Sequence, residues 1–133
     1  MKSVMTMLAL SALLTACARS DVQALSTIDR QLSARVAEQV RRCYRYPRMP
    51  SAGRRIVTRL LVRYAPDGMV VGLPLLVWQQ GVTPETRPYA GRMAEAAKQA
   101  VVRCSPVSLP EEPGKADART REFYLTFSPQ MKA

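Results

Sequence analysis

The sequence predicts an α+β fold: a two-layer domain with a three-stranded antiparallel sheet of order 2-1-3, two helices on one face, and chain order α-β-β-α-β. Three observations predict it. The stretch Arg55–Trp78 holds two apolar runs joined by Ala65-Pro66-Asp67-Gly68. Two stretches whose apolar residues recur three and four apart flank that pair. Near the end, Phe123, Leu125 and Phe127 alternate with Glu122, Tyr124 and Thr126. A period near 3.6 marks a helix with one buried stripe, and a period of two marks a half-buried strand.

The first helix opens at Ser26, a capping residue, with Asp29 in the first turn where the helix dipole favours an anion. Ile28, Leu32, Val36, Val40 and Cys43 form its apolar stripe, and Arg30, Arg35, Glu38, Arg41 and Arg42 fall off it. It ends before Pro47, because the residue preceding a proline is pushed out of the α region. Tyr44–Pro50 and a loop at Ser51-Ala52-Gly53 lead to the first strand.

In that strand Ile56, Thr58, Leu60, Val62 and Tyr64 share one face, with Arg59 and Arg63 on the other. Pro66-Asp67-Gly68 is a turn with a mechanism: proline pre-sets φ, aspartate bonds its own backbone, and glycine accepts a positive φ. Met69, Val71, Leu73, Leu75 and Val77 carry the second strand back. Gly72 and Pro74 interrupt it, and proline cannot donate to a ladder, so this strand belongs at an edge. Gln79–Arg87 reads as a loop.

The second helix opens at Pro88 or Tyr89 and runs to about Arg103, with Tyr89, Met93, Ala97, Ala100 or Val101, and Cys104 as its stripe. Its many alanines favour the helix and leave it thin enough to lie close on a sheet. Ser105-Pro106 stops it, Val107–Thr120 is surface loop, and Glu122–Ser128 is the third strand, ended by Pro129. A tight hairpin makes strands one and two antiparallel. A helical crossover then brings strand three back parallel to strand two, so it completes an antiparallel sheet only beside strand one.

The start of the chain reads differently. Met1-Lys2-Ser3 is a short positive region, and Val4–Ala16 is an uncharged, mostly apolar run. Thirteen residues fall short of the roughly 20 needed to span a bilayer, so residues 1–16 read as a signal peptide. Leu14-Thr15-Ala16-Cys17 resembles the lipobox of bacterial lipoproteins, whose cysteine is lipidated and becomes the first mature residue. The alternative is an ordinary cleavage site with a cysteine nearby. Residues 17–25 are then a short leader, and 26–133 the domain. Ala18 after the lipidated cysteine implies the outer membrane, giving an exported, periplasmic, lipid-anchored protein.

Composition narrows the partners. Twenty Lys and Arg stand against ten Asp and Glu, and losing Lys2 with the signal leaves +9. Sixteen of the cations are arginines, spread along the chain. No recognition helix or aromatic platform accompanies them, so nucleic acid is not an expected partner; anionic lipid or an acidic protein is. Three cysteines less one for lipidation leave Cys43 and Cys104, at the ends of the two helices, which pair in an oxidising compartment. Two separate buried thiols are the alternative.

No catalytic chemistry is visible. The chain has no histidine, no C-x-x-C and no Gly-rich phosphate loop. Glu111 and Glu112 adjoin in a loop, where a solvated turn explains them. A hydrolase acting on cell-wall glycan would need acidic residues converging in a groove. The expectation is a non-enzyme with no cofactor and no metal.

Several pieces carry a family resemblance. They are Arg42-Cys43-Tyr44 before a proline, Tyr64-Ala65-Pro66-Asp67-Gly68, the helix from Met93 to Cys104 followed by Ser105-Pro106, and the closing strand Phe123–Pro129. In order and spacing the stretch from about Ile28 to Pro129 resembles the C-terminal domain of TolA, in the TolA/TonB C-terminal family. Tyr46-Pro47 is similar to the Tyr-Pro pair of the TonB modules, but the paired cysteines and the Phe-x-Leu-x-Phe-x-Pro ending favour TolA. TolA has an inner-membrane helix and a long rod ahead of this domain. Neither is read here, so the expectation is a stand-alone domain of this type on a lipid anchor.

The resemblance implies an envelope protein-interaction module with Tol-Pal-type or other envelope protein partners. A partner segment would add to a sheet edge. Phe123, Tyr124, Leu125, Thr126 and Phe127, free of proline, form the expected docking edge. Val57, Arg59, Leu61, Arg63, Leu76 and Trp78 form an outer-face patch, unless the loop Val107–Thr120 or the first helix covers them. The other reading is a structural envelope lipoprotein that holds anionic lipid or polysaccharide by its charge. The sequence leaves the oligomeric state open.

Overall fold

A computed structural model describes residues 29–110 and 119–129. The signal segment, Cys17, the leader, Ser26, Ile28 and the Glu111-Glu112 pair lie outside the described residues. The chain divides into residues 1–32 and 33–133. Of the first unit, the described part is 29–32, the first turn of a helix with Leu32 buried.

Helix α1 covers residues 29–41. Val36, Val40 and, past its end, Tyr44 are buried at a spacing of four. Cys43, expected on the stripe, is half-buried, and Tyr44 takes the position that faces inward. The helix tightens as it ends: the amides of Arg42, Cys43 and Tyr44 each donate to the carbonyl three residues back, at 3.2, 3.0 and 3.1 Å. An extended connector then reaches a 3-10 turn at Ser51–Arg55, where a plain loop was expected.

Strand β1, Val57–Tyr64, is central. It pairs antiparallel with β2, Leu75–Gln80, on one side and with β3, Arg121–Phe127, on the other, giving the order β2-β1-β3. Thr58, Leu60, Val62 and Tyr64 are fully buried, and their β3 neighbours Phe123, Leu125 and Phe127 are buried with them. Helix α2, Arg87–Arg103, buries Met93, Ala94, Ala97, Ala100 and Val101. It packs on β1, with Pro88 in its first turn, where the missing amide costs nothing.

The turn after β1 closes as its chemistry requires. Asp67 Oδ1 accepts from the Met69 amide at 3.0 Å, the Ala65 amide donates to the Met69 carbonyl at 2.8 Å, and Gly68 has φ +86°. The second strand departs from expectation. A single bridge joins Tyr64 and Val70, after which Gly72, at φ +70°, and Pro74 lead the chain out of the ladder; pairing resumes at Leu75 and continues to Gln80. Pro74 therefore precedes β2 instead of interrupting it, and part of the expected 79–87 loop is strand. The rest is closed by Thr86, whose hydroxyl donates to the Gly81 carbonyl and accepts from the Thr83 amide, both at 2.7 Å.

The helix ends and the hairpin tip meet. Cys43 and Cys104 lie at disulfide distance, their Cα atoms 5.6 Å apart. Just beyond, Ser105 Oγ accepts from the Val70 amide at 3.0 Å, and the Val107 amide donates to the Gly68 carbonyl at 2.9 Å. The Gln39 side chain pairs with the backbone of Ser108, donating to its carbonyl at 3.0 Å and accepting from its amide at 2.7 Å. A fold whose core is one small layer thus gains covalent and polar ties at the open end of its two helices.

Candidate functional site on the outer sheet face

Alternation puts Val57, Arg59, Leu61 and Arg63 on the face of β1 opposite the helices, where they are half-buried or exposed. The two neighbouring strands decide what surrounds them. Arg59 pairs with Trp78 on β2 and Thr126 on β3; Leu61 pairs with Leu75 and Tyr124. The Arg59 guanidinium carbon lies 6.0 Å from the centre of the Trp78 ring and 5.1 Å from that of Tyr124. At such distances the cation is attracted to both ring faces, which holds a long side chain flat across the sheet. Trp78, Tyr124 and Leu75 are 39, 53 and 55% exposed.

One step further along, Arg63 Nε donates to Glu122 Oε1 at 2.8 Å, a directly opposed and exposed pair. Such pairs are worth under about 1 kcal/mol. Arg59 has no ion pair among the described residues. The result is a three-strand patch with a cation between two aromatic rings, bordered by Leu61 and Leu75. Arginine, tryptophan and tyrosine are the side chains that most often dominate protein interfaces, because each brings a large contact area with a polar handle.

One expected member is misplaced. The β1–β2 register shifts between Arg59 and Leu60, so that Leu60 faces Leu76 while Arg59 faces Trp78, with Val77 extra. The bulge reverses the faces of β2 below it: Leu76 shares the helix side with Leu60, and Leu75 takes its place outside. Val57, Arg59, Leu61, Arg63 and Trp78 stand where expected. Tyr124, expected as an edge residue, belongs to the patch, and the alternation of β3 with the strand order carried that signal already. The chain just past α1 is tied to the other face, where Tyr44 packs on the inward-facing Phe127; most of the loop Val107–Thr120 lies outside the described residues.

The strand expected to offer the docking edge, β3, stands at an edge of the sheet, with most of its side chains inward. Phe123, Leu125 and Phe127 are buried, leaving Tyr124 and Thr126 exposed along β3. Among the described residues no strand pairs with the far side of β3, or with the far side of β2.

The buried titratable groups serve the core. Burial pushes the phenols of Tyr44 and Tyr64 up to about 12, and neither hydroxyl has a hydrogen-bond partner among the described residues. Tyr44 packs against the ring of Phe127 at 5.3 Å between centres, and Tyr64 against Phe123 at 5.9 Å. No family model, no curated protein and no solved structure matches this chain.

Proposed function

We propose that this chain is a non-enzymatic, lipid-anchored protein-binding module of the cell envelope, of the TolA C-terminal type. Its docking surface is the outer sheet face together with the free β3 edge. The observation that carries the reading is Arg59 held between Trp78 and Tyr124 on an exposed face beside that edge.

The partner is an extended, acidic segment of an exported protein. It pairs its main chain with β3, sets a carboxylate on Arg59 and lays an apolar side chain over Leu61 and Leu75. Main-chain pairing supplies affinity that is indifferent to sequence, and the Arg59 patch supplies choice. The lipid anchor at Cys17 and a Tol-Pal-type partner are part of the same reading, drawn from the chain's start and from the family resemblance.

A photo-crosslinking residue at Thr126, in intact cells, tests it. The captured protein, purified and re-bound, is expected to stay bound at about 0.5 M salt, where screening acts over a few ångströms, and to be lost with Arg59→Ala. A capture that vanishes with salt and ignores Arg59 defeats the reading.

A second reading, a structural lipoprotein holding anionic lipid or polysaccharide, has its own observation. Six arginines and no acidic residue fall within residues 41–55. Arg42, Arg45, Arg48, Arg54 and Arg55 are exposed without an ion pair among the described residues. That reading wins if contact is salt-labile and depends on these side chains instead.

A further inference from the structure

Strand β2 is built unlike the rest of the surface. It reads Leu75-Leu76-Val77-Trp78-Gln79-Gln80, with no charge, proline or glycine, and its first four residues are 39–55% exposed. Leu73, just before it, is 83% exposed and Val82, just after it, 37%. Helix α2 reaches β2 at one end, where Gln79 Nε2 donates to the Ala90 carbonyl at 2.8 Å. Before the other end a groove of about 440 Å³ lies between α2 and the segment that leads into β2, lined by Leu73, Pro74 and Val102 with Lys98, Glu95 and Arg103 around it. A free edge of this kind templates the addition of another strand, and proteins ordinarily blunt it with lysine or proline.

We infer that β2 is the interface of a two-fold dimer of this chain, with the strands antiparallel across an axis between Val77 and Trp78. Charge selects the occupant. The chain carries +10, yet no lysine or arginine falls between Arg63 and Arg87. Two such cationic molecules approach each other most easily through the one long stretch where neither brings a cation. Along β2 itself an acidic partner finds no cation to pair with; Lys98 and Arg103 stand back on α2, in the company of Glu95.

Shape agrees with charge. Pairing about that axis sets Leu75 opposite Gln80 and Leu76 opposite Gln79, outer residue on outer and inner on inner. It also sets exposed Leu73 opposite exposed Val82, so each copy's Val82 enters the groove beside the other's Leu73, Pro74 and Val102. A two-fold contact requires this reciprocity between positions on one patch. The sheet becomes six-stranded, with both Arg59 patches on the same side and both β3 edges free. A partner with two acidic segments would then be held at both sites.

Sedimentation velocity of the full chain in nonionic detergent, loaded from about 1 to about 100 μM, covers the affinities expected of a small symmetric contact. Wild type is expected to sediment as a dimer by about 10 μM, the middle of that range. Val77→Lys, which places like charges across the axis, and Leu73→Lys, which sets a charge against the other copy's Val82, are each expected to raise the dissociation constant at least about tenfold while circular dichroism is unchanged. Leu73 is so exposed that its variant keeps the fold, and it decides the matter if Val77→Lys misfolds. Tyr124→Ala, which alters the partner site on β3, away from the β2 edge, is expected to leave the dimer intact, so this result stands apart from partner binding. A wild type that stays monomeric throughout, or a dimer indifferent to both lysines, overturns the inference.

Discussion

The Arg59 guanidinium lies 5.1 Å from the centre of the Tyr124 ring, two residues along β3 from Thr126, its directly paired neighbour. The contact crosses the ladder diagonally, where only long and aromatic side chains reach. It depends on register as much as on composition. Because the site is exposed, Arg59→Ala should cost the fold only about 0.5–1 kcal/mol, read from urea unfolding. Partner affinity should fall more than tenfold. Arg59→Lys should restore little of it, since an ammonium lacks the flat fork that stacks on rings and pairs with carboxylate.

Two glycines offer a matched pair. Gly68 has φ +86°, and a Cβ there would collide with the Val107 carbonyl oxygen. Gly68→Ala should lose about 2 kcal/mol or more, the strain of a left-handed residue added to a displaced loop. Gly91 sits exposed within α2, and a Cβ added there would meet nothing within 4 Å. Gly91→Ala should gain about 0.5–1 kcal/mol from helix propensity. Chemical denaturation of both variants checks the opposite signs.

Removing the Cys43–Cys104 link should release about 4 kcal/mol of unfolded-state constraint on the loop-closure model, for a separation of 61 residues. The urea midpoint with and without reductant, and for Cys43→Ser with Cys104→Ser, measures it. The first loss of amide protection is expected at Val70 and Val107, because Ser105 and Val107 follow Cys104 and hold the hairpin tip.

Alkaline pH should weaken the fold. Tyr44 and Tyr64 keep their protons to about 12 when folded, against an ordinary value of 10.0. Their stability is full below pH 10 and is lost as pH rises toward about 12, because the unfolded chain releases protons there that the fold retains. Thermal unfolding across that window should show the decline, and the Tyr44→Phe, Tyr64→Phe double variant should flatten it.

Much of this was legible in residue spacing. The alternation of Ile56 to Tyr64, the Pro66-Asp67-Gly68 turn, the alanine-rich stripe through Met93 and Ala97, and the even cysteine pair are local patterns. Together they lead to the sheet order and to the meeting of Cys43 with Cys104. What escaped depends on partners distant in the chain. Leu75 and Leu76 look interchangeable until the bulge at Val77 sets which faces out, and that register is decided by Arg59 and Leu60. Tyr44 replaces Cys43 on the buried stripe because the Phe127 ring, far along the chain, receives it. Thr86 looks like a helix cap but spends its hydroxyl on Gly81 and Thr83.

We propose that a partner docks on the outer face and β3 edge. Hydrogen–deuterium exchange of the chain, alone and with the protein captured at Thr126, tests it most directly. Slowed exchange is expected across Arg121–Phe127, with residues 41–55 unchanged. Protection confined to residues 41–55, with β3 exchanging as it does in the free chain, would contradict it.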